Sequence, residues 1–430
     1  MIYDLGQSIF FDNTNLYIIR GDSQVKEYEE NIERYPKISH RTYDKRYPTL
    51  IFLSATECNL HCKYCYAEAG TYGNISKERQ FTFEKYKYCY ETAMKIFGGV
   101  KAISFFGGEP LLNYSEIKRF VEYLYSKYDE GKIPEMAVAS NGTIMNKGIE
   151  DFLSRYHIGF STSLDGTKYY NDYNRIGDHI ESVYDTVVKT LSDLDNDGIM
   201  KGLQLTFSKI HLQKYNKGDA KKWLKEIEKL KIDNYAIIAA TTDHADCHID
   251  LNDKIIYQNY IQMCNDMADY YLEQILCGEK MYSYIFPSML LHIIKREYME
   301  DCNAGFSIAI SPDLNVYPCH VCADKVENGF KFDEDFLKKK EDHMFFSGME
   351  RFGRNSMEVC HKCVAYAICP CFCKGMTTEN AFQRVDERCL MYQIFTKRAV
   401  LFLANKYKDN AKRIKESLKA VSEYANQGRN

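Results

Sequence analysis

The sequence predicts an α/β protein in which short buried strands alternate with helices along a parallel sheet. Six apolar runs have the length and composition of buried strands, at residues 50–53, 102–106, 136–139, 158–161, 202–207 and 235–240. Segments between these runs have the apolar spacing of helices, for example residues 83–97, 115–128 and 180–194. Strands that alternate with helices in this way are typical of a parallel α/β sheet.

The composition is that of a globular protein with room for two or three domains. The chain has 430 residues, of which 45% are hydrophobic and 27% are charged. Its net charge of −4 gives no basic surface for nucleic acid, so we expect no nucleic-acid partner. The N-terminus lacks a secretion-signal pattern and no run of about 18 apolar residues occurs. We therefore expect a cytoplasmic protein with no membrane partner, in which 16 cysteines indicate metal or redox chemistry rather than disulfides.

Changes in pattern along the chain indicate successive regions. Residues 1–48 contain two strand patterns around a polar turn and then a helical stretch, and residues 49–245 contain the strand–helix alternation. Helical spacing follows, then a cysteine-rich segment, then the spacing of one long helix. The predicted regions after the alternation are 246–301, 302–389 and 390–430.

A run of three closely spaced cysteines follows the first predicted strand. Cys58, Cys62 and Cys65 have the spacing C-x3-C-x2-C, with the aromatic residue Tyr64 just before the third. Three thiolates suit a 4Fe–4S cluster with one open iron, whereas a closed zinc site needs four ligands. Because C-x2-C also begins many zinc sites, a zinc knuckle is the alternative.

Polar motifs stand where later predicted strands end. Gly107-Gly108-Glu109-Pro110 directly follows the second strand, and Ser140-Asn141-Gly142-Thr143 follows the third. Glycines let the backbone approach a ligand closely, and a carboxylate there can accept hydrogen bonds from an ammonium group. The serine and asparagine could equally serve a turn.

The cysteine spacing together with G-G-E-P resembles the radical SAM superfamily. The resemblance implies a partial (β/α)6 TIM-like barrel at 49–245 and a 4Fe–4S cluster on the three cysteines. The open iron of that cluster would bind the amino and carboxylate groups of S-adenosylmethionine (SAM). Ser163 would touch the ribose, Arg175 a carboxylate, and Leu205 either the adenine or only the core. The residues implied in SAM binding are Tyr64, Gly107, Gly108, Glu109, Pro110, Ser140, Asn141, Ser163, Arg175 and Leu205.

The C-terminal cysteines resemble a SPASM domain, which implies two auxiliary 4Fe–4S clusters and three clusters in all. One auxiliary cluster would take Cys360, Cys363, Cys369 and Cys389. The other would take Cys302, Cys319 and Cys373, with Cys322 or Cys371 as a fourth ligand or an iron left open for a substrate thiolate. Leu314 stands where the family has a glycine. Two structural zinc sites are the alternative, because interleaved cysteine sets also suit zinc.

Among SPASM enzymes, residues 316–320 and 360–369 are most similar to maturases of ribosomally made peptides (RiPP maturases). The resemblance implies an oxidoreductase that crosslinks a precursor peptide through a cysteine thioether, with flavodoxin or ferredoxin as electron donor. Residues 1–48 would be either a partial peptide-docking hairpin or a hairpin that extends the barrel.

Two rival functions remain open. In anaerobic sulfatase-maturating enzymes an aspartate commonly follows the cysteine of Y-P-C and serves as base. Here that residue is His320, the candidate catalytic proton-transfer group. A noncatalytic zinc-binding scaffold is the rival from another class, but it leaves G-G-E-P without a purpose.

Overall fold

The computed structural model describes residues 1–40, 47–194, 199–230, 232–299, 302, 304–323, 330–339, 353–370, 386–419 and 421. The strands are β1 Ile2–Asp4, β2 Ile9–Asp12, β3 Tyr17–Arg20, β4 Ser39–His40, β5 Thr49–Ala55, β6 Ala102–Gly107, β7 Glu135–Ala139, β8 Gly159–Ser163, β9 Lys201–Phe207, β10 Asn234–Ala239, β11 Glu297–Tyr298, β12 Ser307–Ile310, β13 Asn315–Tyr317 and β14 Phe330–Lys331. The α-helices are α1 Asp22–Glu30, α2 Phe83–Phe97, α3 Tyr114–Lys127, α4 Lys147–Arg155, α5 Lys168–Asn174, α6 Val183–Asp193, α7 Lys209–Gln213, α8 Asp219–Glu228, α9 Lys254–Cys277, α10 Ile285–Lys295, α11 Glu334–Lys338, α12 Glu358–His361 and α13 Asp386–Ser417. No helix in these ranges is long and apolar enough to cross a membrane.

The predicted parallel sheet is present. Strands β5 to β10 lie side by side in chain order, and every neighbouring pair among them is parallel. Helices α2 and α3 cover the first two strands, where Phe52 and Phe105 pack with Tyr86 and Phe120 at ring distances of 5.0 to 6.4 Å. All six apolar runs identified in the sequence therefore form the strands expected of them. In parallel strands connected by helices, the carboxyl ends meet at one edge, where active groups lie in barrel enzymes.

The same sheet continues into the cysteine-rich region. Strand β12 pairs in parallel with β5, with Ser307 opposite Thr49 and Ile310 opposite Phe52. Strands β13 and β14 then add in antiparallel fashion, which makes a nine-stranded sheet. The domain boundary at residue 302 stays a prediction. The parallel sheet nevertheless continues across that boundary, because β12 is hydrogen-bonded to β5.

Leu314 closes the turn between β12 and β13 in a left-handed conformation, with a φ of 61°. Its N–H donates to the carbonyl of Ser311 at 2.8 Å, and the N–H of Ser311 donates to the carbonyl of Asn315 at 2.9 Å. Short hairpin loops of this kind need a left-handed residue, and glycine takes that conformation without steric cost. Leu314, which stands where the SPASM pattern has a glycine, takes this left-handed conformation at a cost of about 1–2 kcal/mol.

The N-terminal segment forms its own three-stranded antiparallel sheet, β1-β2-β3. The predicted hairpin is present, and β1 is an additional strand. Within the described residues these strands pair only with one another, so the segment does not extend the barrel sheet. Strands β2 and β3 lie against helix α13 instead.

Candidate active site

Cys58, Cys62 and Cys65 lie in the loop after β5, at the carboxyl edge of the sheet. The Cys58 sulfur accepts from the backbone N–H of Leu60 at 3.4 Å and from Asn141 Nδ2 at 3.6 Å. Burial raises the pKa of the Cys62 thiol to about 12, and the charges of Cys65 and Cys58 act in the same direction. The three sulfurs are therefore close enough for the charge of one thiolate to shift the pKa of another.

The donor set fits an iron–sulfur cluster better than a single ion. In the described ranges no three His, Cys, Asp or Glu side chains converge closely enough to hold one metal ion. A zinc ion needs its sulfur ligands about 2.3 Å from a common centre, whereas the cysteines of a 4Fe–4S cluster bind different irons. The three thiols of this loop match the three protein ligands of a 4Fe–4S cluster with one open iron, which is one fewer than the four ligands of a closed structural zinc site.

Glu109 is a fully buried carboxylate at the end of β6. Its Oε1 accepts from the N–H of Leu111 and from Ser140 Oγ, both at 2.9 Å, and its Oε2 accepts from the N–H of Asn141 at 2.7 Å. Since a carboxylate offers about four acceptor positions, roughly one stays available for a ligand ammonium group.

Binding of SAM should depend on pH through Glu109. Burial raises the pKa of its carboxyl to about 7, although its three hydrogen bonds act the other way. Below this pKa the carboxyl is neutral and accepts only weakly from the N–H groups of an iron-bound SAM amino group, so affinity should rise up to about tenfold per pH unit towards pH 7 and level off above. Anaerobic calorimetry across this range checks it, with Glu109→Gln as the control that loses affinity and pH dependence. A dissociation constant that stays the same from mildly acidic to mildly alkaline pH would contradict it.

Asn141 connects the Glu109 carboxylate to the cysteine loop. Its Nδ2 donates to Asn59 Oδ1 at 2.8 Å, and Asn59 Nδ2 donates to Thr143 Oγ1 at 2.8 Å. The turn after β7 is thereby fixed to the residue that follows Cys58. Ser140 and Asn141 do more than form a turn, while their contact with SAM stays a prediction.

Arg175 is held in a buried ion pair beside the cysteine loop. Its Nε donates to Asp165 Oδ1 at 3.1 Å, and its Nη1 lies 3.9 Å from the Cys62 sulfur. Tyr64 donates its hydroxyl to Asp165 Oδ2 at 2.6 Å. Burial disfavours the charged guanidinium, yet the Asp165 charge raises the pKa of Arg175 above its usual range. The carboxylate that Arg175 touches belongs to Asp165, and a role towards a SAM carboxylate stays a prediction.

The two glycines of G-G-E-P are required by backbone packing. A Cβ on Gly108 would lie 2.2 Å from the Glu57 carbonyl oxygen and 2.8 Å from the Gly70 Cα. Gly107 has a φ of 131°, and a Cβ there would lie 2.3 Å from the Ala55 carbonyl oxygen. The glycines thus bring the motif against the start of the cysteine loop. Pro110 follows, buried at the start of a single 3-10 turn.

The two remaining SAM candidates lie on neighbouring strands. Ser163 ends β8, and Leu205 lies in β9 opposite Ile237 of β10. Leu205 is 5% exposed and packs in the main hydrophobic core. Core packing is what the structure shows for Leu205, and contacts of either residue with SAM remain predictions.

Cys302, Cys319 and Cys322 come together beside strands β12 and β13 of the same sheet. Cys322 and Ala304 are buried, and Cys302 and Cys319 pack against them. A hydrogen bond from Cys322 and the neighbouring His320 lower the pKa of Cys319, against the effect of burial. Cys371 and Cys373 lie outside the described residues.

Tyr66 and His320 connect this second cysteine group to the first. The His320 ring is 4.3 Å from Phe106, just before G-G-E-P, and 6.2 Å from Tyr66, just after Cys65. Its Nδ1 lies 3.7 Å from the Cys319 sulfur. Burial raises the pKa of Tyr66, and the charges of Cys319 and Cys65 contribute in the same direction. The two groups of cysteines therefore share one neighbourhood.

Three other predicted ligands, Cys360, Cys363 and Cys369, lie on a loop held by distant segments. Asn13 Nδ2 donates to the carbonyls of His361 at 3.1 Å and Cys363 at 2.8 Å. Tyr3 donates to the carbonyl of Lys362, and the buried Arg354 to that of Cys369. Cys389, at the start of α13, and Cys369 both raise the pKa of Tyr392, whose shift is due mainly to burial. The loop and α13 thus approach each other at that tyrosine.

Replacing Asn13 should weaken this loop and leave the first cysteine group intact. Asn13→Ala removes a fully buried amide and the two hydrogen bonds that it donates to the loop, so we expect a loss of about 2 kcal/mol. Iron bound by the loop should be lost at a lower temperature, as iron analysis after stepwise anaerobic heating would record. Asn15→Ala is the matched control, because the hydrogen bonds that the described structure gives Asn15, to Asp12 and Ile38, stay within the N-terminal segment. Loss of iron at the same temperature from both variants would contradict the prediction.

Sequence reasoning missed several residues that build the site. Asp165 lies two residues after Ser163, beyond the fourth predicted strand, but no role was predicted for it from the sequence. Asn59 lies between Cys58 and Cys62. Asn174 donates to Asp165 Oδ2 at 3.3 Å. Asn13 lies in a turn that its residue types explain without any distant contact. For Asp165 and Asn59, the signal in the sequence was a polar residue next to a motif.

Comparison with known proteins gives several matches. A family model described as a 4Fe-4S single cluster domain matches residues 48–181. The radical SAM cyclopropyl synthase TigE of Paramaledivibacter caminithermalis is 24% identical over 197 residues, 43% of this chain and 39% of TigE. An uncharacterised protein of Methanocaldococcus jannaschii is 28% identical over 158 residues, 37% of this chain and 50% of that protein. The chain thus matches half or less of the length of these two relatives.

Longer matches extend into the C-terminal half. A cysteine-type anaerobic sulfatase-maturating enzyme of Clostridium novyi is 21% identical over 344 residues, 77% of this chain and 88% of that enzyme. The structure of anSMEcpe with bound AdoMet and Cp18Cys peptide has a TM-score of 0.66 at 19% identity, covering 84% of this chain and 98% of that one. Streptococcus suis SuiB bound to its precursor peptide SuiA has a TM-score of 0.53 at 16% identity, covering 85% and 92%. At these identities the structural matches show a shared fold.

Proposed function

We propose that this chain, a radical SAM enzyme, installs a crosslink in a ribosomally made precursor peptide, with a cysteine thioether as the bond. The observation that carries the proposal is the position of Glu109 and the first cysteine loop beside a second cysteine group, with Tyr66 and His320 between them. Such an arrangement suits a reaction that begins at one metal centre and passes an electron to another.

Each group of residues has a proposed task in cofactor binding. Cys58, Cys62 and Cys65 would hold the SAM-binding cluster, and the remaining acceptor position of Glu109 would accept an N–H of the SAM amino group. Bound SAM and a reduced cluster supply a 5′-deoxyadenosyl radical. The buried ion pair of Asp165 and Arg175 would hold Tyr64 and the part of the loop around Cys62 in place. A buried ion pair is stable only when its geometry is good and its other hydrogen-bonding groups are satisfied.

The proposed crosslinking conserves atoms and electrons. One substrate hydrogen atom leaves an unactivated carbon and ends in 5′-deoxyadenosine. The substrate cysteine loses its thiol proton, for which His320 is the candidate acceptor, and its sulfur bonds to that carbon. One electron leaves the substrate and passes to an auxiliary cluster. A flavodoxin or ferredoxin would return electrons to the SAM cluster, and two auxiliary clusters on the C-terminal cysteines would make three in all.

Anaerobic sulfatase maturation is the second candidate. The longer coverage and higher TM-score of the sulfatase-maturase matches favour it. His320 in place of the aspartate after Y-P-C, with its ring against Phe106 and its Nδ1 facing Cys319, counts against it. The relatives thus support a peptide substrate more strongly than a particular bond.

The test incubates the reconstituted enzyme, SAM and reductant with two kinds of peptide. One kind is any short cysteine-rich precursor that proves to be encoded beside the enzyme, and the other carries a sulfatase motif. We expect the precursor to lose two hydrogen atoms and one alkylatable thiol, and deuterium at the bonded carbon to appear in 5′-deoxyadenosine.

Two outcomes would reject the thioether proposal. One is an aldehyde, trapped as a hydrazone, on the sulfatase peptide, which would identify a sulfatase maturase. The other is rapid SAM cleavage that leaves every neighbouring precursor unchanged.

A further inference from the structure

We propose that Cys322 is an iron ligand of the auxiliary cluster that Cys302 and Cys319 hold. The inference rests on the proposed function only in taking these cysteines as cluster ligands. It concerns one of the two fourth-ligand candidates that the sequence leaves open and rests on the packing of Cys322, since the other candidate, Cys371, lies outside the described residues.

The first supporting observation is the local backbone. Cys319 is extended, with a φ of −162°, and a 3-10 turn follows at His320–Cys322. The N–H of Cys322 donates to the carbonyl of Cys319 at 3.0 Å. A C-x2-C turn of this kind brings two sulfurs to one side of the chain, as at many cysteine metal sites.

A second observation is how Cys302 reaches this turn. The N–H of Gly305 donates to the carbonyl of Pro318 at 3.0 Å, which ties the segment after Cys302 to the residue before Cys319. Cys302, Cys319 and Cys322 then pack in one small group around Ala304, separate from the main hydrophobic cores. Two segments of the chain thus meet through their cysteines.

Burial within this group gives Cys322 the inner position. Cys322 is 0% exposed, whereas Cys302 and Cys319 are each partly exposed. All three cysteines would be available to hold one cluster, with Cys322 as its most buried ligand. A thiol in that position supplies the contact that a substrate thiolate would otherwise make.

The alternative is that Cys322 is a small buried hydrophobic residue, which is common for free cysteines. Cys264 is such a case on α9, equally buried in the main core and packed with aliphatic and aromatic side chains. Cys322 differs because its group in the described structure consists of two other cysteines and one alanine. That contrast also makes Cys264 a matched control.

The experiment compares Cys322→Ala, Cys264→Ala and Cys371→Ala with the native chain after anaerobic reconstitution. Iron content, Mössbauer spectra and electron paramagnetic resonance (EPR) of the reduced protein are recorded with and without 2-mercaptoethanol. We expect Cys322→Ala to lose about four irons per chain, or to keep them with an EPR signal that shifts when the thiol is added. The native protein and the other two variants should keep their iron and show no such shift. Cys322→Ser is the second variant, expected to retain iron with an altered EPR signal.

Two results would overturn the proposal. One is iron and spectra of Cys322→Ala that match those of Cys264→Ala, and the other is the expected change in Cys371→Ala instead. The SAM-induced change in the EPR of the first cluster reports that each variant is folded. Since none of these measurements uses a peptide, failure of the ligand assignment is distinguishable from failure of the crosslinking proposal.

Discussion

Alanine at Cys58, Cys62 and Cys65 together will lower the iron content from roughly twelve to about eight per chain and abolish SAM cleavage. These three sulfurs lie in one loop, and their partners include Asn141, just after β7, and Arg175, at the end of α5. Their removal should leave the sheet and the C-terminal cysteines in place. Metal analysis by mass spectrometry and an assay for 5′-deoxyadenosine measure both effects.

Cys89→Ala is the control for this variant. Cys89 is a fully buried cysteine of α2, in the core formed with β5 and β6. It should keep all its iron and cleave SAM at the native rate. Two or three zincs with little iron in the native protein would instead mean that the cysteines are structural, and the radical chemistry would have to be abandoned.

Gly108→Ala should be strongly damaging, although Gly108 is not a cluster ligand. The added Cβ would meet the Glu57 carbonyl at 2.2 Å and the Gly70 Cα at 2.8 Å, and both are backbone atoms that cannot rotate away. Overpacking of this kind costs about 1–3 kcal/mol, and here the displaced segment leads directly into Cys58. We expect a lower unfolding temperature and a large loss of cluster assembly, measured by calorimetry and by iron per chain.

Gly131→Ala serves as the matched substitution. No atom lies within 4 Å of a Cβ built on Gly131, which is in a surface 3-10 turn. Its stability should change by less than about 0.5 kcal/mol. If Gly108→Ala loaded iron and unfolded like Gly131→Ala, the packing explanation for G-G-E-P would fail.

The barrel strands could be predicted because each is a short apolar run between helices of clear periodicity. Parallel strands are buried on both faces, so their hydrophobic signal is continuous and strong. The carboxyl ends of parallel strands joined by helices lie at one edge of the sheet. The order of strands and motifs in the sequence therefore predicted that Glu109, Ser140 and Asn141 lie near the cysteine loop.

The joining of β12 to β5 could not be predicted in the same way. Its strand pattern, Ser307–Ile310, is four residues long, and pairing between segments so far apart leaves no mark in local sequence. The buried pair of Asp165 and Arg175 illustrates a different limit. Charged residues are usually exposed, so composition gave no sign that this aspartate would be buried against an arginine.

The late partner of β5 has a consequence for synthesis of the protein. Ser307 pairs with Thr49, 258 positions earlier (307 − 49), so one edge of β5 has no neighbour until that part of the chain is made. At 5–20 residues per second this interval lasts roughly 13 to 50 s. During that time the strand presents unpaired backbone groups along that edge. The nascent chain should therefore depend on a holding chaperone, and expression of a fragment ending before residue 302 should yield aggregates.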